Sequence, residues 1–394
     1  MSKIKVLVVD DSALMRKIIS DIINSDNELV VINTARNGKD LIEKLKMSEP
    51  DIITLDVEMP IMDGITALKE MKKQNYNIPT IMLSSVSETG SRLTMECLDA
   101  GAIDFIPKPS GSISLDIDKV KDELIEKIKL IHNKSNHNNK DISYNRDSVH
   151  NKDINYNRDT VHNKDINYTR DTIHNREIAY DSLSMTHNIN EDYQRKNKSN
   201  FISQRIDAIV IGASTGGPKA LYTLITALPK NLGVPVFVVQ HMPIGFTKAF
   251  ANRLDSNSKI SVHEAEDNER VENDSVFIAP AGFHMEVGND KKIHLNSSSP
   301  IWGVRPAVDK LFISAAAVYG PNIVSAVLTG MGKDGAQGTV EIKKNGGITI
   351  SEAKSTCIIY GMPKVAYETG MVDKVLPIDE IAPELVKILL NANK

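Results

Sequence analysis

The amino-acid sequence predicts an α/β protein: two doubly wound parallel-sheet domains joined by a long low-complexity linker. Three observations carry that expectation. Residues 1–109 alternate short β-rich runs with amphipathic helical stretches, the same alternation resumes near Ile206, and near-copies of a 12-residue unit separate the two. A chain of 394 residues exceeds one typical domain, so two globular units and a connector are its natural division. The expected boundaries are 1–131 for the first domain (core 1–109 plus a helix), 132–202 for the linker and 203–394 for the second domain.

In the first domain the strands are read at Lys5–Val9, Leu29–Thr34, Ile52–Asp56, Thr80–Leu83 and Asp104–Ile106, with helices such as Ser12–Ile23 and Lys39–Met47 between them. Five β/α units imply an open parallel sheet covered on both faces, and ligands of such sheets gather at the carboxyl ends of the strands. A helix over Asp116–Ile131 follows. The repeats are Asn139–His150, Asn151–His162 and Asn163–His174, with a degenerate fourth from Asn175. Each clear copy sets two acids against two bases around an Ile, a Tyr and a Val or Ile. That is too little burial to offset the entropy of ordering, so the segment reads as a hydrated, flexible linker. Duplication accounts for the even spacing of His150, His162 and His174, and no acid or cysteine cluster accompanies them. In the second domain, strands are read at Asp207–Ile211, Val234–Gln240, Ser275–Ala279 and Ile323–Thr329. Its helices are read at Gly217–Leu228, Phe246–Leu254, Ala307–Val318 and Gly335–Lys344.

Composition narrows the function classes. The net charge of −4, from 47 basic and 51 acidic residues, gives no reason to expect a nucleic acid or a membrane surface as partner. Cys97 and Cys357 stand far apart in no metal-ligand spacing, which fits a reducing compartment. The opening residues run straight into a strand without signal-peptide architecture, and the longest uncharged run, Leu311–Gly332, is broken by Gly320-Pro321-Asn322. A cytoplasmic protein that is not membrane-inserted is expected.

Two constellations of reactive residues lie on either side of the repeats. Asp10, Asp11, Asp56, Ser84 and Lys108 all fall at strand ends of the first domain. Asp10 and Asp11 offer hard oxygen ligands for Mg²⁺, the carbonyl of Glu58 a further one, and Asp56 a carboxylate nucleophile toward a phosphoryl donor. The Ser84 hydroxyl suits a phosphoryl oxygen, and Lys108 supplies a compensating cation. In the second domain Ile209–Gly217 is a buried strand entering a glycine-rich turn, and Gly212-Ala-Ser214-Thr-Gly216 fits G-x-S-x-G. Serine is a weak nucleophile and needs a base such as His241, oriented by an acid such as Asp334; both follow strands. The N–H groups of Thr215 and of the Gly330–Gly332 turn, with Met331 at its centre, are candidates for an oxyanion hole. His263, His284 and His294 are rival bases, His284 the most serious. Dinucleotide binding is disfavoured, because Ser214 takes the middle glycine position and Gln240-His241 ends the next strand. The order Ser–His–Asp also departs from that of α/β-hydrolases.

Residues 1–109 resemble a response-regulator receiver domain, on the strength of VLVVDDSALMRK, LDVEMPIMDG, MLSS and DFIPKP. The second domain resembles the catalytic domain of chemotaxis protein-glutamate methylesterases through IGASTGGP, QHMP with GFT, IAPAGFHM, RPAVDKLF, LTGMGKDGAQG and GMPKVA. The resemblance implies a flavodoxin-like receiver, phosphorylated on Asp56 with Mg²⁺ by a histidine kinase, in which Ser84 and Phe105 are the hydroxyl and aromatic switch positions. It implies a Rossmann-like second domain with Ser214, His241 and Asp334 as nucleophile, base and orienting acid, and no cofactor there. The implied reactions are hydrolysis of receptor γ-glutamyl methyl esters, releasing methanol, and deamidation of receptor glutamines on methyl-accepting chemotaxis receptors. In the family the unphosphorylated receiver covers the catalytic cleft. Against family linkers that are usually shorter, roughly 70 flexible residues with a span on the order of 45 Å imply weaker autoinhibition here.

Overall fold

The β-branched runs of the first third pair side by side into one sheet. The computed structural model describes residues 3–108, 115–144 and 205–392, so the repeats from residue 145 onward lie outside the described residues. Strands β1 (Ile4–Val9), β2 (Leu29–Ala35), β3 (Ile52–Asp56), β4 (Thr80–Ser84) and β5 (Asp104–Pro107) form a parallel sheet in the order β2-β1-β3-β4-β5. The helices between them are α1 (Ala13–Asn24), α2 (Gly38–Leu45), α3 (Gly64–Lys73) and α4 (Glu88–Ala100). Each begins at a residue whose side chain accepts a first-turn N–H: Ser12, Asn37, Asp63 and Ser87. Such caps contribute about 1 kcal/mol apiece.

Helix α5 (Leu115–Tyr144) is longer than expected, continuing past Ile131 into the first repeat copy. Its inward face, Val120, Leu124, Ile128 and Ile131, joins the core with Val6, Val8, Ile81 and Leu83. Lys127 on that face is almost fully buried; it pairs with Asp104 and Glu123, each at 2.9 Å, and donates to the Phe105 carbonyl at 3.1 Å.

The second sheet has seven strands in the order β14-β13-β12-β6-β7-β9-β8, with parallel pairing throughout. Its strands are β6 (Ala208–Ala213), β7 (Val236–Gln240), β8 (Ser261–Glu264), β9 (Ser275–Ile278), β12 (Ile323–Val327), β13 (Ile348–Glu352) and β14 (Lys374–Leu376). An antiparallel hairpin, β10 (His284–Val287) with β11 (Ile293–Asn296), stands apart from it. The helices are α6 (Gly217–Thr226), α7 (Thr247–Asn257), α8 (Val308–Tyr319), α9 (Ala336–Lys344), α10 (Met362–Glu368) and α11 (Ile378–Ala392). The order reverses at β6, where β12 lies on one side and β7 on the other, and the crevice beyond such a switch point is where open α/β sheets bind ligands. Unlike the receiver-like helices, α6 and α9 start at left-handed glycines, Gly216 (φ 77°) and Gly335 (φ 92°), without a side-chain cap of their own. Their first N–H groups are thereby left for other partners.

The two sheet domains contact each other within one compact unit. The rings of Phe105, on β5, and Phe246, just before α7, are 4.6 Å apart. Arg253 of α7 pairs with Asp99 of α4, Nε to Oδ2 at 3.0 Å, and lies 4.7 Å over the Tyr222 ring. Among the described residues no helix is long and apolar enough to cross a membrane. Both cysteines are free and buried.

Candidate active site and phosphoryl pocket

The register of β6 and β7 fixes the heart of the second site. Ala213 pairs with Gln240, so the next residues, Ser214 and His241, leave adjacent strand ends side by side. The His241 N–H donates to the Ala213 carbonyl at 3.0 Å, and the Gln240 amide donates to the carbonyls of both Ser214 and His241 at 2.9 Å. The turn after Ser214 tolerates only glycine: a Cβ on Gly216 would sit 2.5 Å from Cβ of Ile358. On the other flank a Cβ on Gly330 would lie 2.8 Å from Cβ of Ser214, so the Gly330–Gly332 turn approaches the serine closely.

Asp334 reaches the same place from beyond β12. Its Oδ2 lies 2.9 Å from Nε2 of His241 and accepts the Val308 N–H at 2.7 Å, while its Oδ1 accepts the Asp309 N–H at 2.9 Å. The carboxylate therefore caps α8, and that helix N-terminus favours its negative charge. Burial works to raise the Asp334 carboxyl, but the His241 contact and the two backbone N–H groups outweigh it and hold it below the ordinary 3.8. With Nε2 facing the carboxylate, Nδ1 of His241 is left for a proton acceptor role. The Ser214 side chain is half-buried and its hydroxyl makes no hydrogen bond to the imidazole; such contacts commonly tighten only on substrate binding.

Of the expected oxyanion donors, Gly330 is engaged, its N–H donating to Ile359 at 3.1 Å. Thr215 is buried and Met331 half-buried, and among the described residues neither N–H has a hydrogen-bond partner. The rival histidines all have other partners. His284 is fully buried, Nδ1 accepting from the Ala307 N–H and Nε2 donating to the Ser299 carbonyl, each at 3.1 Å; burial holds its pKa down. His263 pairs with Glu269 at 2.7 Å and His294 with Asp290 at 3.1 Å.

In the first domain, one oxygen each of Asp10, Asp11 and Asp56 lies within 4.8 Å of the others. Lys108 forms ion pairs with Asp10 Oδ2 at 2.9 Å and Asp56 Oδ2 at 2.7 Å, yet both oxygens are buried without a directional hydrogen bond. Burial pushes the Asp56 carboxyl up to about 6; Lys108 opposes this and the Asp10 charge adds to it. Three clustered carboxylates, two of them with a buried oxygen lacking a hydrogen bond, are the hard donor set that Mg²⁺ takes, so the residues fit that ion. Glu58 donates its N–H to Asp56 at 3.3 Å. The Ser84 hydroxyl is turned to other partners: it lies 2.6 Å from Thr94 Oγ1 and 3.3 Å from the Gly90 carbonyl. Phe105 is buried at 3% exposure, against Phe246.

Sequence reasoning missed Gln240, Asp309 and Trp302. Asp309 caps α9 with Oδ1, accepting from Gly335 at 3.0 Å and Gly338 at 2.8 Å, and its Oδ2 accepts from the Trp302 indole at 3.0 Å. The RPAVD run, Arg305–Asp309, carried a signal, an acid at the predicted start of a helix, but nothing in it shows a contact with the segment after Asp334.

Comparison with known proteins agrees over the whole length. A family model for CheB methylesterase matches residues 209–385 and one for the response regulator receiver domain matches residues 6–117. A protein-glutamate methylesterase/protein-glutamine glutaminase of Clostridium acetobutylicum is 50% identical over 99% of both chains, and one of Pyrococcus abyssi is 44% identical over 98% of this chain and 93% of its own. Such coverage means that these relatives are of similar length. The crystal structure of the Thermotoga maritima CheB methylesterase catalytic domain is 46% identical, covering 47% of this chain and all of its own, with a TM-score of 0.46. The chain belongs to the protein-glutamate methylesterase/protein-glutamine glutaminase family, an enzyme that couples a response-regulator receiver domain to a CheB methylesterase domain.

Proposed function

We propose that this enzyme hydrolyses glutamate γ-methyl esters on methyl-accepting chemotaxis receptors, releasing methanol, and deamidates receptor glutamines, through Ser214, His241 and Asp334. The observation that carries this reading is the His241–Asp334 hydrogen bond of 2.9 Å beside a serine on the neighbouring strand end. Ser214 Oγ attacks the ester carbonyl carbon as Nδ1 of His241 takes its proton, and the oxyanion is held by the N–H groups of Thr215 and Met331. The carbon–oxygen bond to the methoxy group then breaks, and the imidazolium returns the proton to the departing methanol. Water, deprotonated by the same imidazole, cleaves the acyl-serine to leave a glutamate carboxylate. A glutamine follows the same course with ammonia as the leaving group. Asp334 keeps its charge throughout and fixes the ring.

Asp56 is the proposed site of phosphorylation by a histidine kinase. Asp10, Asp11, Asp56 and the Glu58 carbonyl would hold Mg²⁺, which neutralises the crowded charge when bound; Lys108 balances the charge that remains. A phosphoryl group adds about −2 of charge beside Lys108, three residues from Phe105, whose ring packs on the loop that carries His241. Phosphorylation is thereby proposed to part the receiver from the catalytic domain. Methanol release from methylated receptors, compared between wild type and Ser214→Ala, tests the chemistry. A loss of at least about 10³-fold is expected; full activity in the variant rejects the mechanism.

A further inference from the structure

The chain has a single tryptophan, Trp302, and it stands beside the catalytic domain's reactive pair, half exposed at 52%. Its backbone is in the left-handed region (φ 54°), and Lys333 Nζ lies 3.7 Å over its ring. The indole N–H donates to Oδ2 of Asp309 at 3.0 Å. Asp309 is 2% exposed and grips the 334–335 segment from both sides: its backbone N–H donates to Asp334 Oδ1 at 2.9 Å, and its own Oδ1 accepts the Gly335 N–H at 3.0 Å. Helices α8 and α9 thus exchange carboxylates, Asp334 capping one and Asp309 the other. Trp302 is the remaining side-chain partner, and it holds the second oxygen of Asp309 against solvent.

We propose that Trp302 and Asp309 are positioning residues for the hydrolysis, the indole fixing the Asp309 carboxylate and that carboxylate fixing the Asp334–His241 pair. The inference rests on the reading that this pair serves Ser214. It explains why an exposed aromatic is held in an uncommon backbone conformation, which an ordinary surface tryptophan does not require. Neither residue touches the reacting atoms. A rotation of the Asp334 carboxylate would pass directly to the imidazole, and misplacement by about 1 Å costs as much as 100-fold in rate.

Trp302→Phe keeps a ring under Lys333 and removes the N–H. In the full-length protein, supplied with a small phosphodonor and methylated receptor membranes, kcat for methanol release should fall about 10-fold. KM should stay within about twofold and the thermal midpoint should be unchanged. Asp309→Asn turns an amide N–H toward the indole N–H, so its loss of kcat should be smaller when Trp302→Phe is already present than in wild type. An unchanged kcat in Trp302→Phe, a rise in KM alone, or fully multiplicative effects of the two substitutions would overturn the proposal. Ser214→Ala is measured alongside: if it stays active, the triad reading fails first, whereas an inactive Ser214→Ala with a fully active Trp302→Phe removes only the positioning role. Should Asp309→Asn not fold, Trp302→Phe alone decides.

Discussion

Asp334 joins two demands on one side chain, since its oxygens orient His241 and close the open start of α8. Asp334→Asn keeps one acceptor and loses the other, leaving a helix N–H unpaired at a cost of about 1–3 kcal/mol in chemical denaturation. Activity should fall further, by roughly 10³–10⁴, because a neutral amide can present an N–H to the ring and stabilise the wrong tautomer. The depressed carboxyl also fixes a sign. A group whose folded pKa lies below its ordinary 3.8 contributes stability that is complete above that value and is lost as pH falls through the folded value. Acid unfolding followed below about pH 4 should therefore be less steep in Asp334→Asn than in wild type. Ser214, His241 and Asp334 were legible as residues because each sits in a short glycine- or histidine-bearing run after a strand. Asp309 and Trp302 were not, because the meaning of Asp309 lies in hydrogen bonds to a segment about 25 residues further on and that of Trp302 in its bond to Asp309, and local pattern carries no such information.

Elements were read well where period and breakers coincide, as at β3 and β7, and poorly where they do not. The hairpin β10–β11 and the edge strands β8 and β14, three or four residues long, went unread, as did the five-residue β13, although β5 and β9 are equally short and were read. Helix α5 outran its expected end because the repeat sequence lacks proline and glycine, so nothing local stops a helix already started by packing. Its docking depends on Lys127, whose ammonium is held above its ordinary value: burial opposes the charge, and Asp104 and Glu123 outweigh it. Lys127→Met should destabilise the receiver domain by about 3–5 kcal/mol, since it leaves the Asp104 carboxylate buried and unpaired. Adding Asp104→Asn should recover much of that loss in urea titrations. A single substitution costing under about 1 kcal/mol would show that α5 is held by its apolar face alone.

Across the whole molecule, among the described residues, the receiver meets the catalytic domain through the Phe105–Phe246 pair, the Asp99–Arg253 ion pair and shared apolar packing, with Ile359 buried among the first domain's core residues, beside a cleft of about 690 Å³ between α4 and α7. A half-exposed ion pair of this kind contributes at most about 1 kcal/mol. The polar part of this junction is therefore weak. Asp99→Lys sets two cations against each other at that junction and should raise the rate of the unphosphorylated enzyme several-fold, read as methanol release without phosphodonor. No increase would mean that the apolar contact of Phe105 with Phe246 suffices. The receiver resemblance marked Phe105 as a switch position, but its contact with Phe246 was not visible in the sequence, because the two lie in different domains and Phe246 reads as an ordinary core aromatic.

The pairing of Ala213 with Gln240 has one more outcome. Alcohol and imidazole are spaced by the ladder of the sheet itself, one rung beyond its last matched residues, and not by the plasticity of a lid. On warming, hydrolysis should persist until the central strands melt, so that heat inactivation and global unfolding coincide, while amides around Ala213 and His241 exchange with deuterium among the slowest in the catalytic domain.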